Sequence, residues 1–176
     1  MRKNFLLVAA LFLIFVTSFA CSGGTKAVRL SSGEKITVFV ISNRGNPKEM
    51  TEKQFKWRNE VGTYMEANLI NIFNRAGYMV RLINERGEFT PGPGRYLLDV
   101  TIVSYNPGSS AARMLVGYGA GAASLDNHYK FFGEEDKPLM MWDDGVGSSK
   151  GWRPCVMKLN KNTFKKVSDK LKTIHR

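Results

Sequence analysis

Between Thr51 and Gly77 the chain places apolar residues at Trp57, Val61, Met65, Leu69, Ile72, Phe73 and Ala76. Steps of three and four put them on one stripe of an α-helix. Thr51 and Gln54 have the form of a capping box, in which each side chain answers the other's backbone N–H. Gly77 supplies the left-handed position that commonly closes a helix. The pattern predicts a helix from Glu52 to Ala76. A helix with one apolar stripe must bury it against another layer, and the segments around it say which kind.

Lys35–Ser42 is β-branched and apolar and reads as a strand buried on both faces. Tyr78–Ile83 resumes as a strand. Tyr96–Tyr105 is the clearest strand of the chain, with Leu98, Val100, Ile102 and Ser104 facing one way and Leu97, Asp99, Thr101 and Val103 the other. Asn127–Phe132 and Leu139–Asp143 flank the polar turn Glu134–Pro138 and read as a hairpin. Gly145–Gly151 reads as a flexible loop. Asn160 or Asn162 is a candidate cap for a last helix carrying Phe164, Val167, Leu171 and Ile174. The expected fold is α/β (α+β): a two-layer sandwich, with a mixed, mostly antiparallel sheet of about five strands covered by one long helix plus a short C-terminal helix. No internal repeat and no second domain is visible.

The amino terminus has a different character. Arg2 and Lys3 precede the apolar run Phe5–Val16, and Ser18-Phe19-Ala20-Cys21 closes it. That run has 12 residues, whereas a membrane-spanning helix needs about 20. Two cations, a short apolar region and a small residue before a cysteine are the layout of a secretion signal, and the cysteine makes it resemble that of a bacterial lipoprotein. Residues 1–20 are expected to be a signal peptide, 21–33 a flexible tether, and 34–176 one globular domain. Cys21 is the expected lipidation site, with membrane as a partner through the N-terminal lipid. Ser22, rather than Asp, follows the cysteine, which by resemblance to sorted lipoproteins points to the outer membrane, facing the periplasm.

The 26 Lys and Arg against 15 Asp and Glu give the whole chain +11. The signal carries two cations and no acids, so 24 against 15 leaves +9 after cleavage. That excess favours phosphate-rich surfaces. The cations are spread over Lys48–Arg58, Arg75–Arg86 and Lys158–Arg176 rather than gathered in one block, so no nucleic-acid partner is expected. With Cys21 acylated, Cys155 has no intramolecular partner, and its neighbours Val156 and Met157 point to burial.

Arg113–Leu125 is the other unusual stretch. Gly117, Gly119 and Ala122 mimic a dinucleotide fingerprint, but a strand rather than a helix follows. No Gly-Lys-Ser or Gly-Lys-Thr completes a phosphate loop. Gly117 and Gly121 have the spacing of membrane helix packing, in an apolar segment too short to span. Two readings remain open: a strand with a wide bend, in which glycine permits close backbone approach, and a contact surface formed by Arg113, Gly117, Tyr118, Gly119 and Gly121. Arg113 followed by Val116-Gly117-Tyr118-Gly119-Ala120-Gly121-Ala122 and a strand resembles the signature of the domain of unknown function 4410 family of bacterial lipoproteins. The resemblance covers most of the chain after the signal and is specific around Arg113–Ser124. It implies the same architecture and an envelope location, and brings no activity with it.

No catalytic constellation stands out, and no cofactor or metal is expected. Asp143 and Asp144 are adjacent, so a strand sends their carboxylates to opposite faces. His128 with Cys155 is the one pairing of a base and a nucleophile, and it needs the two to meet in space. Asp99, inside a strand, calls for a cation, and Arg113 is the expected one. The expected role is a non-catalytic, lipid-anchored envelope protein that binds another envelope component, a protein or a glycan. The alternatives are a small periplasmic hydrolase and a homo-oligomerising secretion or assembly accessory.

Overall fold

The computed structural model describes residues 26–108 and 121–176. Among the described residues, five strands and two α-helices build it: β1 (Thr37–Asn43), α1 (Glu52–Ala76), β2 (Met79–Leu82), β3 (Arg95–Asn106), β4 (Ala123–Phe132), β5 (Pro138–Ser148) and α2 (Trp152–Ile174). The strands form one sheet in the order β2-β1-β3-β4-β5. β1 pairs in parallel with β2 and β3, and β4 pairs antiparallel with β3 and β5. Both helices cover one face. This is the two-layer α/β architecture with a mixed five-stranded sheet that the hydrophobic patterning predicts.

The long helix starts and stops where its caps lie. Thr51 Oγ1 accepts the Gln54 N–H at 3.3 Å, and Gln54 Oε1 accepts the Thr51 N–H at 2.9 Å. Gly77 closes it at φ 102°, a conformation that other residues adopt only with strain. Val61, Met65, Leu69 and Phe73 are buried against Val38, Val40, Leu98, Val100 and Ile102. β1 is buried on its other face too. There Phe39 joins Ile83, Leu97 and Phe132 in a smaller cluster, closed by Phe89 and Ile41. The connection from β2 to β3 supplies Ile83 and Phe89. Parallel strands need such a crossover, and this one lays apolar residues on the face that the helices leave open.

The structure corrects three expectations. Val103 is a β-bulge, since the β3–β4 register slips between Ile102 and Ser104. Ser104 therefore points away from the helices, where it donates to Asp126, rather than sharing a side with Leu98, Val100 and Ile102. Gly145–Gly151 is mostly not a loop, because β5 continues to Ser148. Gly145 sits in the ladder opposite Asp126, whose Oδ1 would lie 2.2 Å from a Cβ at that position. The glycine makes room for the carboxylate, so here it marks close approach and not flexibility. The C-terminal helix, at 23 residues the shorter of the two, starts at Trp152. Asn160 and Asn162 lie inside it. Asn160 is buried and donates to Met65 O and Asn68 Oδ1, both at 2.9 Å, which ties α2 to α1.

Candidate functional site

Three places bring together the residues that the sequence singles out. The first is the sheet end where β3 leaves and β4 begins. Gly108 (φ 75°) and Gly121 (φ 67°) stand there side by side. A Cβ on Gly108 would lie 2.5 Å from Gly121 O and 2.8 Å from Ala123 N. Only glycine allows the two ends of the glycine passage to approach so closely. Arg113, Gly117, Tyr118 and Gly119 lie outside the described residues, as does Cys21.

Beside this end lies a cleft of about 550 Å³, between the β1–α1 connection, the first turns of α1 and the end of β3. Trp57, Gln54, Met50, Tyr105 and Asn106 line it, and Pro107 borders it where the passage departs. Lys53 Nζ stands 4.7 Å from the Trp57 ring. Arg58 holds the wall in place, donating to Ile102 O at 2.8 Å and to Val103 O at 3.1 Å, on both sides of the bulge step. Burial, with Glu60 and Cys155 adding to it, pushes the Tyr105 phenol up to about 12. Its hydroxyl therefore stays protonated at neutral pH. Glu49 and Arg58 also line the cleft, which therefore combines aromatic rings, amide groups and one charge of each sign.

The second place is the open face of the sheet. Thr101, His128 and Asp143 stand in register across β3, β4 and β5. His128 Nδ1 lies 2.7 Å from Asp143 Oδ1. Asp144 points the other way, as alternation requires, and accepts from Asn162 Nδ2 at 3.0 Å. Cys155 is on α2, under the opposite face, where its thiol donates to Ala123 O at 3.6 Å. The sheet therefore separates Cys155 from His128, and the pair cannot exchange a proton. Burial pushes the Cys155 thiol above its ordinary value, away from the reactive thiolate. Among the described residues no group of three or more His, Cys, Asp and Glu side chains is placed to hold a metal ion.

Asp99 is half-buried on the same open face. Its described cationic neighbours are Lys130, its cross-strand partner, with Arg86 and His128; the expected partner Arg113 lies outside the described residues. Burial wins over these cations and holds its carboxyl above the ordinary value. A folded-state value above the unfolded one means that the group's stabilising contribution is present below the unfolded value and lost as pH rises through the folded one. Asp99→Asn is therefore expected to be more stable than wild type near pH 7 and to lose that advantage near about pH 3. Urea midpoints at the two pH values check this. A variant weaker than wild type at neutral pH would show that the cations outweigh burial.

The third place is a cluster that sequence reasoning missed. Glu66 is buried on α1 and lies 2.7 Å from Arg44 Nη2, and Ser42 donates to the same carboxylate oxygen. The legible signal was Gly62, a glycine in mid-helix. A Cβ there would lie 2.5 Å from Arg44 Nε, so the glycine is the groove through which the arginine runs.

Fold and site define a two-layer α/β domain with a helix-covered mixed sheet and a cleft at one sheet end. The chain belongs to the family described as domain of unknown function (DUF4410), whose profile matches residues 25–167. Among solved structures it is similar to the PelC dodecamer from Paraburkholderia phytofirmans, with 13% identity over 84% of this chain and 93% of that one and a TM-score of 0.38. A single-substitution variant of that dodecamer gives 12% identity over 77% and 90%, with a TM-score of 0.40. No curated protein matches the chain.

Proposed function

We propose that this is a non-catalytic lipoprotein of the cell envelope. An acyl group on Cys21 holds it to the outer membrane, facing the periplasm, and it binds another envelope component, a protein or a glycan, at the sheet end where the glycine passage leaves. The anchor is supported by the basic, apolar and small-residue order of residues 1–21. The observation that carries the binding half is the cleft floored by Trp57 and Tyr105 beside the Gly108–Gly121 approach. Aromatic faces with polar edges are the surfaces that supply contact energy at low entropic cost. The open-face row of Thr101, His128 and Asp143 has no comparable enclosure, with Asp143 exposed.

Metabolic labelling with palmitate tests the anchor. Wild type is expected to take up label and to pellet with membranes, and Cys21→Ala to lose both. Photo-crosslinkers at Trp57 and Ser124 test the surface. They are expected to capture the same envelope partner, while a crosslinker at exposed Glu135, in the β4–β5 turn, does not. Label retained in Cys21→Ala overturns the anchor, and equal capture from Glu135 overturns the surface.

A further inference from the structure

The two helices present different outward faces. That of α1 carries Glu52, Lys53, Lys56, Glu60, Thr63, Asn71 and Arg75, in which two acids offset all but one of three cations. That of α2 carries Lys158, Lys161, Lys165 and Lys172, continued by Arg176 just past the helix end, all exposed. Their spacing of three, four, seven and four keeps them on one stripe. The buried residues Cys155, Leu159, Thr163, Val167 and Leu171 lie on the other side of the helix. One acid interrupts the stripe, Asp169, paired with Lys165 at 2.7 Å and Lys172 at 3.4 Å. The stripe thus keeps a clear positive excess.

Its position relative to the amino terminus gives it a direction. Ala27 N–H donates to Ala76 O at 2.7 Å, at the end of α1. Val28 shares a shallow depression with Lys172, Thr173, His175 and Arg176, at the end of α2. His175 is itself fixed there, with Nε2 2.7 Å from the Tyr96 hydroxyl. The described chain therefore begins at the end where the basic stripe finishes. Cys21 precedes Lys26 by five residues, a reach of at most about 18 Å.

We propose that the outward stripe of α2 lies on an anionic phospholipid surface, with the domain held down on its helical layer. This rests on the reading of Cys21 as an acylated anchor. A tether that short keeps the stripe's carboxyl end close to the headgroups, within about two screening lengths at physiological salt. Basic residues next to a lipid anchor add to its hold through the membrane's surface potential. Docking this way leaves the open sheet face, opposite the helical layer, turned toward the aqueous phase.

The test uses the acylated mature protein reconstituted on vesicles of phosphatidylcholine alone or with about one-third phosphatidylglycerol. Amine labelling of Lys158, Lys161, Lys165 and Lys172 is followed against Lys137 in the β4–β5 turn. Several-fold slower labelling of the four on the anionic vesicles is expected, relieved at about 0.5 M salt where the fields are screened. Equal rates on the two vesicles overturn the docking. The intact mass of the same sample reports the state of Cys21 independently. Should it show no acyl group, the anchor fails, and the unacylated chain mixed with the same vesicles still decides the stripe: protection on anionic vesicles sustains it, and none overturns it.

Discussion

Replacing Phe73 by Ala is expected to lower the unfolding free energy by about 4 kcal/mol and the melting temperature by about 12 °C. Phe73 is fully buried at the point where both helices meet the sheet. Its ring packs edge-on to Phe164 of α2 at 5.1 Å and to Tyr78, just before β2, at 5.7 Å. Removing it strips apolar area from water-excluded contact and leaves a cavity between rings that cannot collapse together, because Tyr78 is held by the hydrogen bond that closes α1, from its N–H to Phe73 O at 3.1 Å. Phe73→Leu keeps most of the volume and is expected to lose less than half as much. Thermal melts followed by circular dichroism check both. If the Ala variant falls no further than the Leu variant, the three-ring junction is not where the layers are joined.

The same junction shows how much of this fold could be read from the residues. The stripe from Trp57 to Ala76, the capping box at Thr51 and the closing Gly77 are local signals, and each element they define has its expected bounds. So does the alternation in β3 up to Ile102. Beyond it the pattern breaks at a bulge, which local spacing does not record, since one extra residue resets which side Ser104 faces. The β5 extension was hidden for a related reason. Gly145 and Gly147 lack side chains and read as loop, but they lie in the ladder because β4 supplies Asp126 above one and Ser124 opposite the other. The start of α2 was masked by Gly151-Trp152-Arg153-Pro154, where a proline in the first turn of a helix costs nothing. At the candidate site, Tyr105 and Trp57 were legible as apolar pattern only. They line one cleft with Arg58, which reaches across to the carbonyls of Ile102 and Val103, 44 and 45 positions away.

The Arg44–Glu66 pair makes a prediction whose sign, and not only its size, is diagnostic. Arg44→Ala is expected to cost about 3 kcal/mol, because it leaves the carboxylate of Glu66, whose side chain is 11% exposed, without its cation. Gly62→Ala alone is also expected to destabilise. The gain in helix propensity is about 1 kcal/mol, but the new Cβ falls 2.5 Å from Arg44 Nε and 2.9 Å from its Cδ, on a side chain that Glu66 and Asn59 hold. Once Arg44 is Ala, the three atoms nearest that Cβ are gone, so adding Gly62→Ala to Arg44→Ala is expected to stabilise by roughly the propensity difference. The four proteins of this cycle, compared by urea denaturation, isolate the coupling. A Gly62→Ala change that stabilises equally in both backgrounds would mean that the arginine moves aside at no cost. A change that destabilises equally in both would mean that Gly62 serves the helix backbone and not the ion pair. Reversal of sign alone ties the mid-helix glycine to the buried pair that links α1 to the chain leaving β1, and through that link to the wall of the Trp57 cleft.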